Sequence, residues 1–355
     1  MNARQLLQYR LYNQQLSKSR FKNAGELVSY MGAIQAQDYA GAKWALGLRL
    51  NNATDSKLEK QINAGEVLRT HVLRPTWHFV NPADIRWMIE LTAPRLNQQS
   101  AGRNRQLKLD AKTFAKSNDI LAKALQGGKQ LTRTEIAAIL EQGGIATDTQ
   151  RLIHLLFTAE LDCVITSGAR QGKQFTYASF DERAPNAKSL PRDESIARLA
   201  LTYFNSRGPA TLHDFVWWSG LTVADAKTGL EEIKEKLTNI SLDNQTYYLP
   251  QHLPDTKLPA PISCLLPPFD EYTIAYKDRS AAINTKHAEQ GGYLIFDPAI
   301  MLGGSIAGNW KRSIGTKNIT VNLNPFDVLK PAQQAAVDKS LKHYAKFMGM
   351  GVEVR

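Results

Sequence analysis

The sequence is short of acid, of cysteine and of long apolar runs, and each shortage removes a class of protein. Asp plus Glu number 33 against 44 Lys plus Arg, a formal net charge of +11 over 355 residues. That balance excludes an acidic, self-solvating tail protein. No stretch approaches the roughly 18 unbroken apolar residues that a membrane helix needs. The opening MNARQLLQYRLYNQQLSKSR is polar and lacks the apolar centre and small-residue cleavage site of an export signal, so a cytoplasmic protein without a membrane partner is expected. Cys163 and Cys264, the two cysteines, stand apart; without several nearby histidines they make no four-ligand zinc site and read as core residues. His71, His78, His154, His213, His252, His287 and His343 are scattered, none at metal-ligand spacing with another. A phosphate-binding loop ending in GKS or GKT, a dinucleotide fingerprint, HExxH and GxSxG are all missing. No metal and no cofactor are expected.

What is abundant is basic charge, and it is unevenly placed. Residues 1 to 150 hold 21 basic and 12 acidic side chains, or +9, whereas the remainder holds 23 and 21, or +2. Arg69, Arg74, Arg86, Arg95, Arg103, Arg105 and Lys108 face only Asp84 and Glu90 within residues 69 to 108. Such a field attracts a polyanion, and each phosphate it neutralises releases counterions. For any single Arg or Lys, a solvated basic helix face is the better account of the charge.

The order helix, short helix, helix, β-hairpin recurs along the chain. Its clearest copy starts at Asp193: an amphipathic helix to residue 206, a stop at Gly208-Pro209, a short helix begun by Thr211 and Asp214, and a third begun by Thr222 and Asp225. Leu237 to Leu242 and Gln245 to Leu249 then read as strands around Asp243-Asn244. Three helices and a hairpin in about 60 residues is the pattern of a winged helix. Residues 111 to 180 repeat it. The first 110 residues suggest a decorated version, with helices at 3 to 17, 25 to 37, 41 to 50 and 55 to 64 and a hairpin, Val67 to Leu73 and Thr76 to Val80, turning at Arg74-Pro75. Six of the 15 prolines fall in residues 250 to 268, which reads as a linker. Strands at Tyr293 to Phe296, Gly304 to Trp310 and Asn318 to Asn322, a helix at about Pro331 to Phe347 and a final short strand complete a β-rich module. The expected class is α+β, mostly helical: three tandem winged-helix domains at 1–110, 111–190 and 191–250, and a linker with a β-rich C-terminal module at 251–355.

In Met31-Gly32-Ala33-Ile34-Gln35-Ala36-Gln37-Asp38 an apolar helix is expected to deliver polar groups to its C-terminal end. On a regular helix Gln35 and Gln37 would diverge by about 200°. If both serve one site, the helix must end or unwind between them. Spacing alone makes them ordinary helix-end polar residues.

The segments IQAQD, VLRTHVLRPTWHFV, GPATLHDFVWWSGL, LLPPFDEYTIAYKDRS and GNWKR, from about residue 31 to residue 312, resemble the winged-helix alkylpurine DNA glycosylases of the AlkZ type in matching order. The resemblance implies three tandem winged helices and a β-rich C-terminal region around a concave basic DNA channel. It also implies excision of alkylated purines, in some members including interstrand crosslinks. The family's Gln-aliphatic-Gln catalytic motif falls on Gln35-Ala36-Gln37, with Gln37 placing the chain in the Gln-Gln branch rather than a related branch with Asp there. Ala36 is smaller than the usual aliphatic residue, which bears on substrate range.

A purine alkylated at N7 or N3 is already cationic and ready to leave. The enzyme's task is then to position water and stabilise an oxocarbenium-like sugar, and a glutamine amide can accept a hydrogen bond from water and donate to phosphate or sugar oxygens. Gln35 and Gln37 are the expected catalytic pair, with the division of roles between them open. Lys43 is the one lysine near the motif, so hydrolysis to an abasic site without a Schiff base is expected. Arg69, Arg74, Thr76, His78, Lys277, Arg279, Lys311 and Arg312 are the candidate DNA contacts. Trp77 and Phe79 are expected to face the core, and Asp270 and Glu271 to serve as structural hydrogen-bonding groups. The sequence therefore suggests a monomeric, monofunctional glycosylase acting on alkylated double-stranded DNA, cytoplasmic and nucleoid-associated when bound. The alternatives are a non-catalytic winged-helix DNA-binding protein or transcription regulator, which would bind a defined operator, and a protein-interaction scaffold, which would bind no DNA.

Overall fold

A computed structural model describes residues 1–251, 262–283, 296–316 and 318–355. Its fold is α+β, with helix the prevailing element. The chain divides into two compact units, Met1–Glu59 with Ile196–Arg355, and Lys60–Ser195. The stretch 1–110 contributes to both.

In the first unit, helices span Ala3–Asn13, Ala24–Met31 and Tyr39–Leu48. The helix expected over 25 to 37 stops at Met31 because Gly32 takes φ +76°, where a Cβ would also lie 2.8 Å from Thr202 Cγ2. The chain then runs extended as the strand Ala33–Gln35.

The elements read from Asp193 onward all form. Helix Arg192–Arg207 is followed by Leu212–Ser219, with a reciprocal Thr211–Asp214 cap and a left-handed Gly220, and then by Val223–Ile233. Strands Leu237–Leu242 and Gln245–Pro250 pair antiparallel, and Asp243 and Asn244 both have positive φ (49° and 60°), as a two-residue hairpin turn of this kind requires.

The C-terminal sheet has five strands, in the order Gly351–Val354, Asn318–Pro325, Ser305–Ile314, Ala299–Leu302 and Ser263–Leu266. Only the first pair is parallel. Two expectations need correction. Ser263–Leu266 is a strand within the stretch read as linker: the flanking Pro261, Pro267 and Pro268 leave the apolar residues between them unbroken, and these pair with Ala299–Leu302. That partner strand is not among the expected ones, and the strand expected at Tyr293 to Phe296 falls largely outside the described residues, as do His252 and His287.

Helix Pro331–Met348 buries Val337, Leu341, Tyr344 and Phe347. Trp44, fully buried, meets the rings of Tyr344 and Phe347 at 4.9 Å each, and its Nε1 donates to the carbonyl of Leu265. Gly47 lies so close to this helix that a Cβ would sit 2.5 Å from the buried Phe347 ring. Gly47→Ala should therefore destabilise the protein by about 1–3 kcal/mol through overpacking, seen as an earlier urea midpoint at unchanged m value; an unaltered midpoint would mean that the ring yields.

In the second unit, Leu68–Val72 and Arg74–Val80 form a hairpin that turns at Leu73, φ +64°, rather than at Arg74-Pro75. His71 pairs with Trp77 and Val72 with Arg74, so Pro75 and Thr76 bulge out of register. A proline without an N–H is tolerated at such a bulge. Helix Ile85–Gln106 follows, carrying Arg86, Arg95, Arg103 and Arg105. Helices Ala111–Ala124, Arg133–Gln142 and Thr149–Leu161 each start at a side-chain cap, Asp110, Thr132 with Glu135, and Asp148. Leu121, Leu125, Ile136, Leu140, Leu155 and Ile165 form their shared core. A sheet of Gln130–Thr132, Thr176–Ser179 and Ile165–Ser167, in that order, closes the group.

Candidate active site

The segment bearing Gln35 and Gln37 is held from beneath by a buried ion pair. Arg207, at the end of its helix, donates through Nη1 to the carbonyl of Met31 (2.6 Å) and through Nη2 to that of Ala33 (2.7 Å). Glu271 accepts the backbone N–H of Gln35 at 2.9 Å on Oε1. Its other oxygen accepts from Arg207 Nη2 (2.7 Å), Arg207 Nε (3.0 Å) and Trp218 Nε1 (3.0 Å). Arg207 and Glu271 are completely buried, and the guanidinium stacks 4.3 Å from the Trp218 ring centre. Two charges can sit there because each is paired and hydrogen-bonded on nearly every side. A second buried pair, Arg49 with Asp270 at 2.7 Å, holds the same loop, and Asp270 accepts the N–H of Tyr272. The Asp270 and Glu271 carboxylates are thus structural groups.

Three residues beyond Gln35, Asp38 caps helix Tyr39–Leu48 by accepting the N–H of Gly41 at 3.0 Å. The motif is therefore anchored at Gln35 and again at Asp38. Between the anchors, Ala36 is fully buried and Gln37 is exposed, while the Gln35 side chain is 7% exposed. The strand ends at Gln35 and the chain bends at Gln37 and Asp38, so the helical divergence of the two amides no longer applies. Ala33, Ile34, Gln35 and Ala36 are all buried, and Gln37 is the first exposed residue of the segment.

Arg312 comes to this place from the strand Ser305–Ile314. Its Nη2 lies 4.0 Å from Asp38 Oδ2, and its Nη1 donates to the Tyr344 hydroxyl at 2.7 Å. The adjacent Lys311 is exposed. Lys43 is 5% exposed, and its ammonium is bound by Asp55 at 2.8 Å and Glu59 at 2.7 Å. Lys277 is exposed, and its backbone N–H donates to the buried Asp214 at 2.8 Å. Arg279 is half-buried, donating to the carbonyls of Thr273 (2.7 Å) and Lys277 (3.1 Å) and lying 5.1 Å from the Trp217 ring.

The remaining expected residues belong to the second unit. His78 is fully buried, its Nδ1 2.9 Å from the carbonyl of Thr76, a contact that puts the proton on Nδ1. Arg74 and Thr76 are half-buried beside it. Trp77 is only partly buried rather than a core residue like Phe79, and it stacks on Arg69 at 4.2 Å. Sequence reasoning passes over Arg207 and Arg49, because their partners lie 64 and 221 positions away and no local pattern marks them.

Among the described residues, no three His, Cys, Asp or Glu side chains gather as metal ligands. Burial pushes the thiols of Cys163 and Cys264 up to about 12, which leaves both protonated and unreactive at neutral pH. No helix among the described residues is long and apolar enough to cross a membrane.

Gln35 and Gln37 thus lie on a segment anchored at both ends. The profile described as DNA glycosylase AlkZ-like matches residues 28–347. The chain belongs to the AlkZ-like DNA glycosylase family. Among solved structures, the Streptomyces sahachiroi DNA glycosylase AlkZ superposes with a TM-score of 0.81, covering 100% of both chains at 19% sequence identity. At that identity the likeness establishes a shared fold. A search of curated proteins finds no match. Family membership makes DNA the partner, as the segments between residues 31 and 312 implied.

Proposed function

We propose that this AlkZ-like protein hydrolyses the N-glycosidic bond of purines alkylated at N7 or N3 in double-stranded DNA. The observation that carries the reading is the exposed Gln37 on a backbone fixed on one side by Glu271 at Gln35 and on the other by the Asp38 cap. An amide so held accepts a hydrogen bond from water and aims it without reorganisation.

The departing base takes the glycosidic electron pair and becomes neutral. Water forms the new bond to the sugar's C1′, and its proton passes to solvent, so the products are an abasic site and a free alkylpurine. An uncharged amide is a weaker base and a weaker stabiliser of positive charge than a carboxylate, which confines the reaction to bases already cationic. An interstrand crosslink through N7 has the same charge, and its cleavage on one strand would unhook it. Asp38, the carboxylate of the motif, is taken up by its helix cap and by Arg312. Arg312, beside Asp38, is assigned to a phosphate near the motif, and Lys311, Lys277 and Arg279 are assigned further cationic contacts. Arg69, Arg74 and Thr76 are assigned to the DNA-facing hairpin of the second unit, which the fully buried His78 supports from within. Ala36 faces inward, so its small size alters packing beneath the motif.

The helix and hairpin groups at 111–190 and 191–250 are read as winged helices, and 1–110 as a third carrying the motif, in a monomer. The enzyme is monofunctional in this reading, since the Lys43 ammonium is bound by two carboxylates. Borohydride added during turnover of methylated DNA should therefore trap no covalent protein–DNA adduct, while alkali cleaves the product strand. A trapped adduct that disappears in Lys43→Ala would refute this. Duplexes carrying 7-methylguanine, 3-methyladenine or a nitrogen-mustard crosslink, scored for alkali-labile scission, test the substrate class. Tight binding to one sequence with no scission on any of them would instead indicate a regulator.

A further inference from the structure

The second unit contains a cavity of about 410 Å³ whose lining includes three cations, Arg69, Arg133 and Lys173, three rings, Trp77, Phe175 and Tyr177, and no carboxylate. That volume is within the range of sites that enclose small organic ligands. The cations are not loosely arranged. The Arg69 guanidinium lies 4.2 Å from the Trp77 ring centre and 4.6 Å from that of Phe175. His71 lies 3.9 Å from Trp77 at a tilt of 40°, and the Arg170 guanidinium lies 5.3 Å from the Phe175 ring centre. His71 is itself fixed by the buried Glu160 at 2.9 Å. Lys173 is carried by a tight turn in which Gln171 and Gln174 exchange backbone hydrogen bonds of 3.0 and 3.1 Å. Phe175, a large ring next to this turn, is 39% exposed.

A guanidinium set against aromatic rings has its N–H donors at its edge, where they can pair with phosphate oxygens. Arg133 and Lys173 add charge at the same cavity. The rings ask for more than inorganic phosphate, because an exposed aromatic face gains most by covering a sugar or base. In a duplex each base face is covered by its neighbours, so such a ring reaches a base where the strand is unpaired.

We propose that this cavity is a subsite for one nucleotide of an unpaired DNA strand, with its phosphate at Arg133, Lys173 and Arg69 and its sugar or base over Phe175. The assignment deepens the DNA-repair reading, and it is tested without bond cleavage, so the two can fail separately.

The full-length protein is titrated with fluorescein-labelled pentadeoxythymidylate by anisotropy over a range of salt. Arg133→Gln/Lys173→Gln should weaken binding about tenfold at low salt and flatten the plot of log affinity against log salt by about 1.4, two contacts at about 0.7 each on single strands. Phe175→Ala should weaken binding by about tenfold with the salt slope unchanged, and Phe175→Leu, which preserves bulk without the ring, should do the same. Lys112→Gln/Lys116→Gln, which removes two lysines of helix Ala111–Ala124, should leave binding within twofold. A loss in that control equal to the loss in the pocket pair, or unaltered binding in both Phe175 variants, would mean a diffuse basic surface and overturn the proposal. Thymidine 5′-monophosphate should displace the strand only at far higher concentration; displacement at equal nucleotide concentration would make a free nucleotide the ligand and overturn the strand assignment.

Discussion

Replacing Gln35 and Gln37 together by Ala should abolish release of 7-methylguanine from methylated duplex while duplex affinity stays within about threefold. Gln37→Ala alone should lower the single-turnover rate on the order of 10²- to 10³-fold, the usual loss when one preorganised polar group is removed from a reacting centre. The effect should fall on the rate rather than on affinity, because the amide acts on water and the developing sugar cation. The backbone offers a control. Gln35 is tied through its N–H to Glu271, a bond that Gln35→Ala preserves, so the variants should retain the melting temperature of the parent. Unchanged release of 7-methylguanine by the double variant would end the assignment of these residues.

Glu271→Ala should destabilise the protein more than Gly47→Ala does. It leaves the fully buried Arg207 without its carboxylate and strips an acceptor from Trp218 Nε1 and from the Gln35 N–H. Breaking a buried pair on one side costs about 3–5 kcal/mol, which for a unit of this size lowers the melting temperature on the order of 10 °C. The sign differs if both partners go. Arg207→Met/Glu271→Leu removes both charges at once and should recover a large part of the stability, as apolar replacement of buried pairs often does. It should not recover excision, since the carbonyls of Met31 and Ala33 and the N–H of Gln35 would still have lost their partners. A double variant that regains stability and excision together would show that the pair supports the fold and does not position the motif.

The local elements were legible because their causes are local. Thr132 with Glu135, Thr211 with Asp214 and Asp148 start helices where the short-range capping pattern puts them, and Asp243-Asn244 turns the hairpin that alternation on both sides demands. The motif's own conformation was not legible. The apolar run before Gln35 fits a helix by periodicity, and only Gly32 in a left-handed conformation, lodged against Thr202, converts it to extended chain. Likewise the alternation around Trp77 suggested a core ring, whereas Trp77, in regular register opposite His71, is only partly buried and lies against Arg69.

From sequence order alone came the α+β class, the helix caps, the family resemblance and the glutamines themselves, since each depends on residues a few positions apart or on matched segments. The tertiary structure decided that Gln37 reaches solvent while Ala36 does not, that Arg312 comes to Asp38, and that Arg207 and Glu271 clamp the motif. The clamp depends on two charges, Arg207 and Glu271, brought together from distant parts of the chain. Their pairing energy exists only once burial has removed the competing water, and no pattern of neighbours along the polypeptide encodes it.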